Sequence, residues 1–224
     1  MNAPNHQRND ATHALRPHPT LPLLPDAQID ALRAAYAEPP RAYHGFDHVQ
    51  AVLRHFQTVA DGPGWARPVE AWLAVLYHDA VYEAGRRDNE ARSARLAEAA
   101  IARWLPGAGI DAARVARLIE LTARHGAIDR DDPALGRDGS DAEDARLFLD
   151  CDMVVLGAPL AEYDAYERGI AEEYRGVPGW MFRRGRRRFL RGLLARERIY
   201  LSDFFHERLD AHARANLRRA LGDV

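Results

Sequence analysis

WLAVLYHDAVYEAGRRDNEARSA, residues 72–94, decides how the fold is read. Its first part reads as an apolar helix over 67–80, running through Val69, Trp72, Leu73, Leu76 and Tyr77 at spacings of three and four. Its last part opens a helix over 89–104, with Asp88 as N-cap and Leu96, Ile101 and Trp104 inside. The short loop EAGRR lies between them. His78 and Asp79 close the first helix, where it should be buried. Two ionisable neighbours in a core cost several kcal/mol unless they are paired or bind a metal.

The helical pattern extends outward from this stretch. A helix is expected over 26–37, with Asp26 as N-cap, and another over 46–60 with Val49, Val52, Leu53, Phe56 and Val59 on one face. DGPG at 61–64 and PGAG at 106–109 break the chain. A helix over 111–125 carries Val115, Leu118, Ile119 and Thr122, and 126–140 is the longest loop. Further helices are expected over 141–156, 159–175, 179–197 and 203–221, separated by Gly157 with Pro159 and by Gly176 with Pro178. No segment alternates cleanly with period two. The expected class is all-α: a single helical domain over 21–224, preceded by a polar, proline-containing mobile tail over 1–20.

Composition narrows the function. The 224 residues are 47% hydrophobic and 29% charged, as in an ordinary globular chain. A net charge of −2 predicts no general affinity for nucleic acid or anionic membranes. All 31 basic residues are arginine, as a GC-rich, bacterial coding sequence would produce. Without lysine there is no Walker A lysine and no Schiff base. Cys151 is the single cysteine, which fits a reducing, cytoplasmic compartment. No apolar run reaches membrane-spanning length, and MNAPNHQRNDATHALRPHPT lacks the apolar core of a secretory signal.

Three places gather metal-binding residue types: His44 and His48 in YHGFDH, His78 and Asp79, and Asp150 and Asp152 in LDCD. His44 and His48 lie four apart and are expected on one helical face. Asp150 and Asp152 interrupt the apolar run from Leu147 to Leu156. Three helices thus bring an imidazole or carboxylate to a core, and a shared metal is the economical account. Taken singly, each residue has an ordinary explanation: a satisfied core histidine or a solvent-facing aspartate.

The ordered set resembles the HD superfamily of metal-dependent phosphohydrolases. YHGFDHVQAVL (43–53), residues 72–94, LIELTARH (118–125), FLDCDMVVLG (148–157) and the tail from EYRGVPGWMF to ARANL look like successive blocks of a bacterial family of predicted HD phosphohydrolases. The resemblance covers roughly residues 20–220 and implies the all-α HD-domain bundle. It also implies a divalent metal held by His48, His78, Asp79 and Asp152, with Asp150 as rival for the last place and otherwise structural. The implied activity is hydrolysis of a phosphomonoester or phosphodiester, a nucleotide among the options, by a metal-activated water. The donor set suits Mn, Mg, Fe, Co, Ni or Zn. The runner-up is a non-catalytic HD module that senses a nucleotide or metal.

Secondary roles follow from position and resemblance. Glu83 and His44 are the candidates for acid–base work, Glu83 having the alternative of a solvated loop carboxylate. Asn89, Glu90, His125, Arg175 and Arg186 are candidates for substrate binding. Arg41 and the arginines of RRGRRRFLR could include a phosphate clamp, although a solvated helix face is the plainer reading of that run. The expected partner is a small phosphate ester or nucleotide, with no nucleic acid and no membrane; homodimerisation is left open.

Overall fold

The computed structural model describes residues 15, 20–38, 41–136 and 139–222. The proposed tail falls outside these, except for Leu15 and Thr20. Leu15 is 1% exposed, and its carbonyl accepts the indole N–H of Trp72 at 2.7 Å. All regular structure among the described residues is helical: α1 (Asp26–Tyr36), α2 (Phe46–Ala60), α3 (Pro68–Tyr77), α4 (Asn89–Trp104), α5 (Ala112–Leu121), α6 (Gly139–Met153), α7 (Leu160–Glu173), α8 (Gly179–Leu194) and α9 (Asp203–Leu221). Short 3-10 turns follow α5 at Thr122–Arg124 and α6 at Val154–Gly157. No helix of the described residues is long and apolar enough to cross a membrane.

The chain divides into two compact units, residues 1–120 and 121–224. In the first, α3 is the central element, packed against α2 and α4. Every residue from Glu70 to His78 is buried, so this helix is apolar all round rather than striped. Glu70 is accommodated because its carboxylate accepts the backbone N–H of Asp111 at 3.3 Å. In the second unit α9 packs against the Val154–Gly157 turn and against α8. Gly157 permits the close approach: a Cβ there would lie 2.9 Å from the Tyr200 hydroxyl and 3.0 Å from the Leu209 Cβ.

Helix ends depart from the periodicity in instructive ways. Pro25, not Asp26, is the N-cap of α1. Asp88 holds the N-cap position of α4 but makes no capping bond; its carboxylate takes Arg86 at 2.7 and 2.9 Å. The expected helix over 67–80 stops at Tyr77, because carbonyls on either side of that point have other donors. Tyr36 donates to the Leu76 carbonyl, while Arg41 donates to those of Asp79 and Ala80. The expected helix over 141–156 likewise ends at Met153. Tyr200 donates to the carbonyls of Met153 and Val154, and Asn216 to those of Leu156 and Ala158.

Asp150 anchors the start of α9. The residue is 2% exposed, and its carboxylate accepts from the N–H of Leu201 (2.8 Å), the N–H of Ser202 (2.7 Å) and the Ser202 hydroxyl (2.6 Å). Ser202 in turn caps α9 by accepting from Phe205 N–H. Replacing Asp150 with alanine would leave three buried donors unmatched. The Asp150→Ala variant should lose about 3 kcal/mol or more of unfolding free energy, read by urea denaturation.

His55, half-buried on α2, has its pKa pushed down to about 4 by lost hydration, with the charges of Arg54 and His48 adding. Its folded pKa is thus below the ordinary value of 6.5. The native state binds fewer protons at this site, so stability is fully present above the unfolded pKa and falls as pH drops from 6.5 towards 4. A His55→Gln variant should gain on the wild type across that window in paired denaturation curves. Parallel curves would show that His55 does not contribute.

Candidate metal centre

The buried end of α3 and the start of α2 bring two imidazoles together. His48 occupies the first turn of α2 and is 5% exposed; His78 caps α3 and is 1% exposed. Their Nε2 atoms are 3.1 Å apart. The Asp79 carboxylate lies 3.2 Å from His78 Nε2 and 3.5 Å from His48 Nε2, with 15% of its side chain exposed. Three donors from three side chains therefore converge within 4.8 Å of one another, a cluster that could hold a metal ion.

The tautomer of His78 follows from its other nitrogen. Nδ1 lies 2.8 Å from the Val75 carbonyl, which can only accept, so Nδ1 carries the hydrogen. In the neutral ring the Nε2 lone pair then points at the cluster. A backbone carbonyl behind a histidine is the usual way a ligand imidazole is oriented and its basicity raised.

Side chains beyond the cluster hold its loops. Arg41 donates to the carbonyls of His44 (2.9 Å), Asp79 (2.7 Å) and Ala80 (3.0 Å), tying the approach to α2 to the turn after α3. It is therefore occupied with main chain rather than free to clamp phosphate. Ser93 bridges both the N–H and the carbonyl of Val81. Asn89, 5% exposed, accepts from Glu83 N–H and donates to Glu83 O at 3.1 and 3.0 Å. Its carboxamide fixes the loop rather than standing open to a ligand.

Each remaining candidate has its own surroundings. His44 precedes α2 by two residues instead of sharing its face with His48; its ring stacks on Tyr82 at 4.1 Å and meets His48 edge-on at 5.8 Å. Glu83 is 61% exposed and faces Arg86 and Arg92 at 3.6 Å each. Glu90 is half-buried in the first turn of α4, at the positive end of its dipole. In the second unit, Asp152 lies 3.3 Å from His125 Nδ1. Arg175 is exposed and pairs with Glu172. Arg186 pairs with Glu167 at 2.5 Å and lies over the rings of Tyr166 and Phe189. Cys151 is buried, and burial raises its thiol pKa well above the usual value.

Sequence reasoning missed Arg41 as a backbone clamp and Tyr82 as the stacking partner of His44. The only available signal was their closeness in sequence to the two histidine motifs. No family model, curated protein or solved structure matches the chain.

Arg41 should matter more than a half-exposed arginine normally does. Arg41→Ala removes three charge-assisted bonds to carbonyls and is expected to cost about 2–4 kcal/mol in thermal or urea unfolding. A cost within ordinary surface-substitution scatter would mean the loop is held without it.

Proposed function

We propose that the protein is an HD-type metal-dependent phosphohydrolase in which His48, His78, Asp79 and Asp152 hold one divalent cation. The proposed substrate is a phosphate ester, with nucleotides among the candidates. The observation that carries the reading is the pair of buried imidazole nitrogens 3.1 Å apart beside one carboxylate, with the His78 lone pair turned inward. Without a cation, this is an expensive way to fill the end of an apolar helix. With one, each lone pair has a use. The mixed nitrogen and oxygen donors suit Mn, Fe, Co, Ni, Zn or Mg. Asp152 enters as fourth ligand on the resemblance of FLDCDMVVLG, and Asp150 is left out because three hydrogen bonds already occupy its carboxylate.

Bound there, a divalent ion would supply a more acidic water and a counter-charge for the phosphoryl oxygens. The protein's own contribution is orientation. Val75 O fixes the His78 tautomer, and Arg41 fixes the turn that carries Asp79. His44 is the favoured proton donor to the leaving oxygen, since its ring lies against that of His48 and is held flat by Tyr82. Glu83 is the weaker candidate: its carboxylate is exposed and faces two arginines.

The test is metal analysis of the purified full chain together with hydrolysis of a generic aryl phosphate across the divalent ions named above. The wild type should hold near-stoichiometric metal and turn over. Asp79→Ala and Asp152→Ala should each lose metal and more than about 100-fold in activity, since even outer positioning residues cost 10–100-fold. Little metal and no turnover with any ion would overturn the proposal. Metal without turnover would favour the sensing module instead.

A further inference from the structure

The arginines of α8 differ from most others in the second unit. Outside this helix the usual arrangement is an ion pair, as in Arg124–Asp132, Arg146–Glu143, Arg214–Asp210 and Arg219–Asp164. The 16 residues of α8, GWMFRRGRRRFLRGLL, contain no acidic side chain. Among the described residues, Arg186 alone of its arginines is ion-paired, with Glu167. Arg183, Arg184, Arg187, Arg188 and Arg191 are exposed and have no ion-pair partner among the described residues; the bond from Arg187 goes to the Leu221 carbonyl.

The geometry of the exposed face is also specific. Leu190 and Leu193 are buried, whereas Arg184, Arg187, Arg188 and Arg191 on the other side of α8 are exposed. Trp180, Arg184, Arg187 and Arg191 follow one another at steps of four, three and four and form one stripe. A concavity of about 560 Å³ is lined by Arg184, Arg187, Arg188 and Arg191. Trp180, 61% exposed, stands at the head of the stripe with Met181 beside it.

We propose that this face of α8 binds a single-stranded nucleic acid, the arginines taking successive phosphates and Trp180 stacking on an unpaired base. Steps of three or four residues space the guanidinium roots by about 4.5–6 Å, a scale on which phosphates of an extended strand can be met in turn. An open aromatic at one end of a cationic track is the combination that single-strand binders use. A duplex keeps its bases stacked on one another and offers Trp180 little. A membrane fits less well, because an interfacial helix must give its apolar face to the lipid, and here that face is buried. The net charge of −2 does not oppose this reading: it describes the whole chain, whereas the field near α8 is set by five unmatched guanidiniums. The inference is independent of the metal centre.

The probe is a fluorescently labelled, mixed-sequence single-stranded RNA oligonucleotide titrated with the full chain and read by anisotropy. Five neutralised phosphates predict a fall in affinity of about 100-fold between roughly 50 and 200 mM salt. Replacing Arg184, Arg188 and Arg191 together by glutamine should weaken binding at least about tenfold and flatten the salt slope by about two. The same three changed to lysine should retain most of the binding. Trp180→Ala should weaken binding severalfold and leave the salt slope unchanged. Circular dichroism of each variant should match the wild type, since these side chains are exposed. The proposal is overturned if the wild type does not bind at low salt, or if the glutamine variant binds as well as the wild type. It is also overturned if vesicles rich in anionic phospholipid bind while the oligonucleotide does not.

Discussion

Two imidazole nitrogens held 3.1 Å apart at the end of a wholly buried helix constrain the first unit more than any other contact. Neither histidine can move to water without unpacking α3, whose neighbours on both sides are apolar. The chain must therefore stop the helix at Tyr77, turn within the core and satisfy every carbonyl that the stopped helix exposes. Tyr36, Arg41 and the 3.0 Å bond from Ala80 N–H to Tyr77 O do this between them. The location of the cluster and the construction of its surroundings are thus one problem.

The second unit solves a similar problem with carboxylates and amides. Asp150 gathers two backbone N–H groups and a hydroxyl at the entrance to α9, and Asp210 accepts the N–H of Ile199 at 2.7 Å. Asn216 reaches back to two carbonyls of the turn after α6. Burial raises the Asp150 pKa to about 7 despite those hydrogen bonds, a sign of how little water reaches it. Buried polar side chains here fix the irregular chain between helices, while the helices are held by apolar packing.

Most helix positions were legible in the sequence because periodicity is a local property. The limits of α4 and α9 are those expected, and α2 runs over 46–60 as read. The ends of α3 and α6 were misread because a distant residue takes over a carbonyl; α5, α7 and α8 also stop short, at Leu121, Glu173 and Leu194 rather than at 125, 175 and 197. Nothing near Leu76 or Asp79 says that Tyr36 and Arg41 will donate to their oxygens, and nothing near Val154 announces Tyr200. The candidate site was legible in its residue types: His48, His78 and Asp79 do converge. His44 and Asn89 were legible as notable residues but not in their surroundings. A ring stacked on Tyr82 and a carboxamide clamped on Glu83 depend on tertiary placement.

The absence of lysine invites the view that arginine is only a coded replacement for it. The contacts argue against this for part of the set. Arg41 reaches three carbonyls; Arg214 reaches those of Leu194, Arg196 and Glu197 while also holding Asp210. Arg196 spans the carbonyls of Gly126 and Ile128 and the carboxylate of Asp129. A lysine carries a single nitrogen and could not bridge groups placed so far apart, whereas a planar fork of five N–H groups can. At these positions arginine is required by geometry, and discounting it as compositional bias hides a structural role. Along the exposed face of α8 the reverse holds: apart from Arg186, which pairs with Glu167, its arginines have no acidic partner among the described residues, and what distinguishes them is charge density along a line. The same residue type thus divides into loop clamps and an unmatched cationic face, and only the contacts made by each guanidinium tell the two apart.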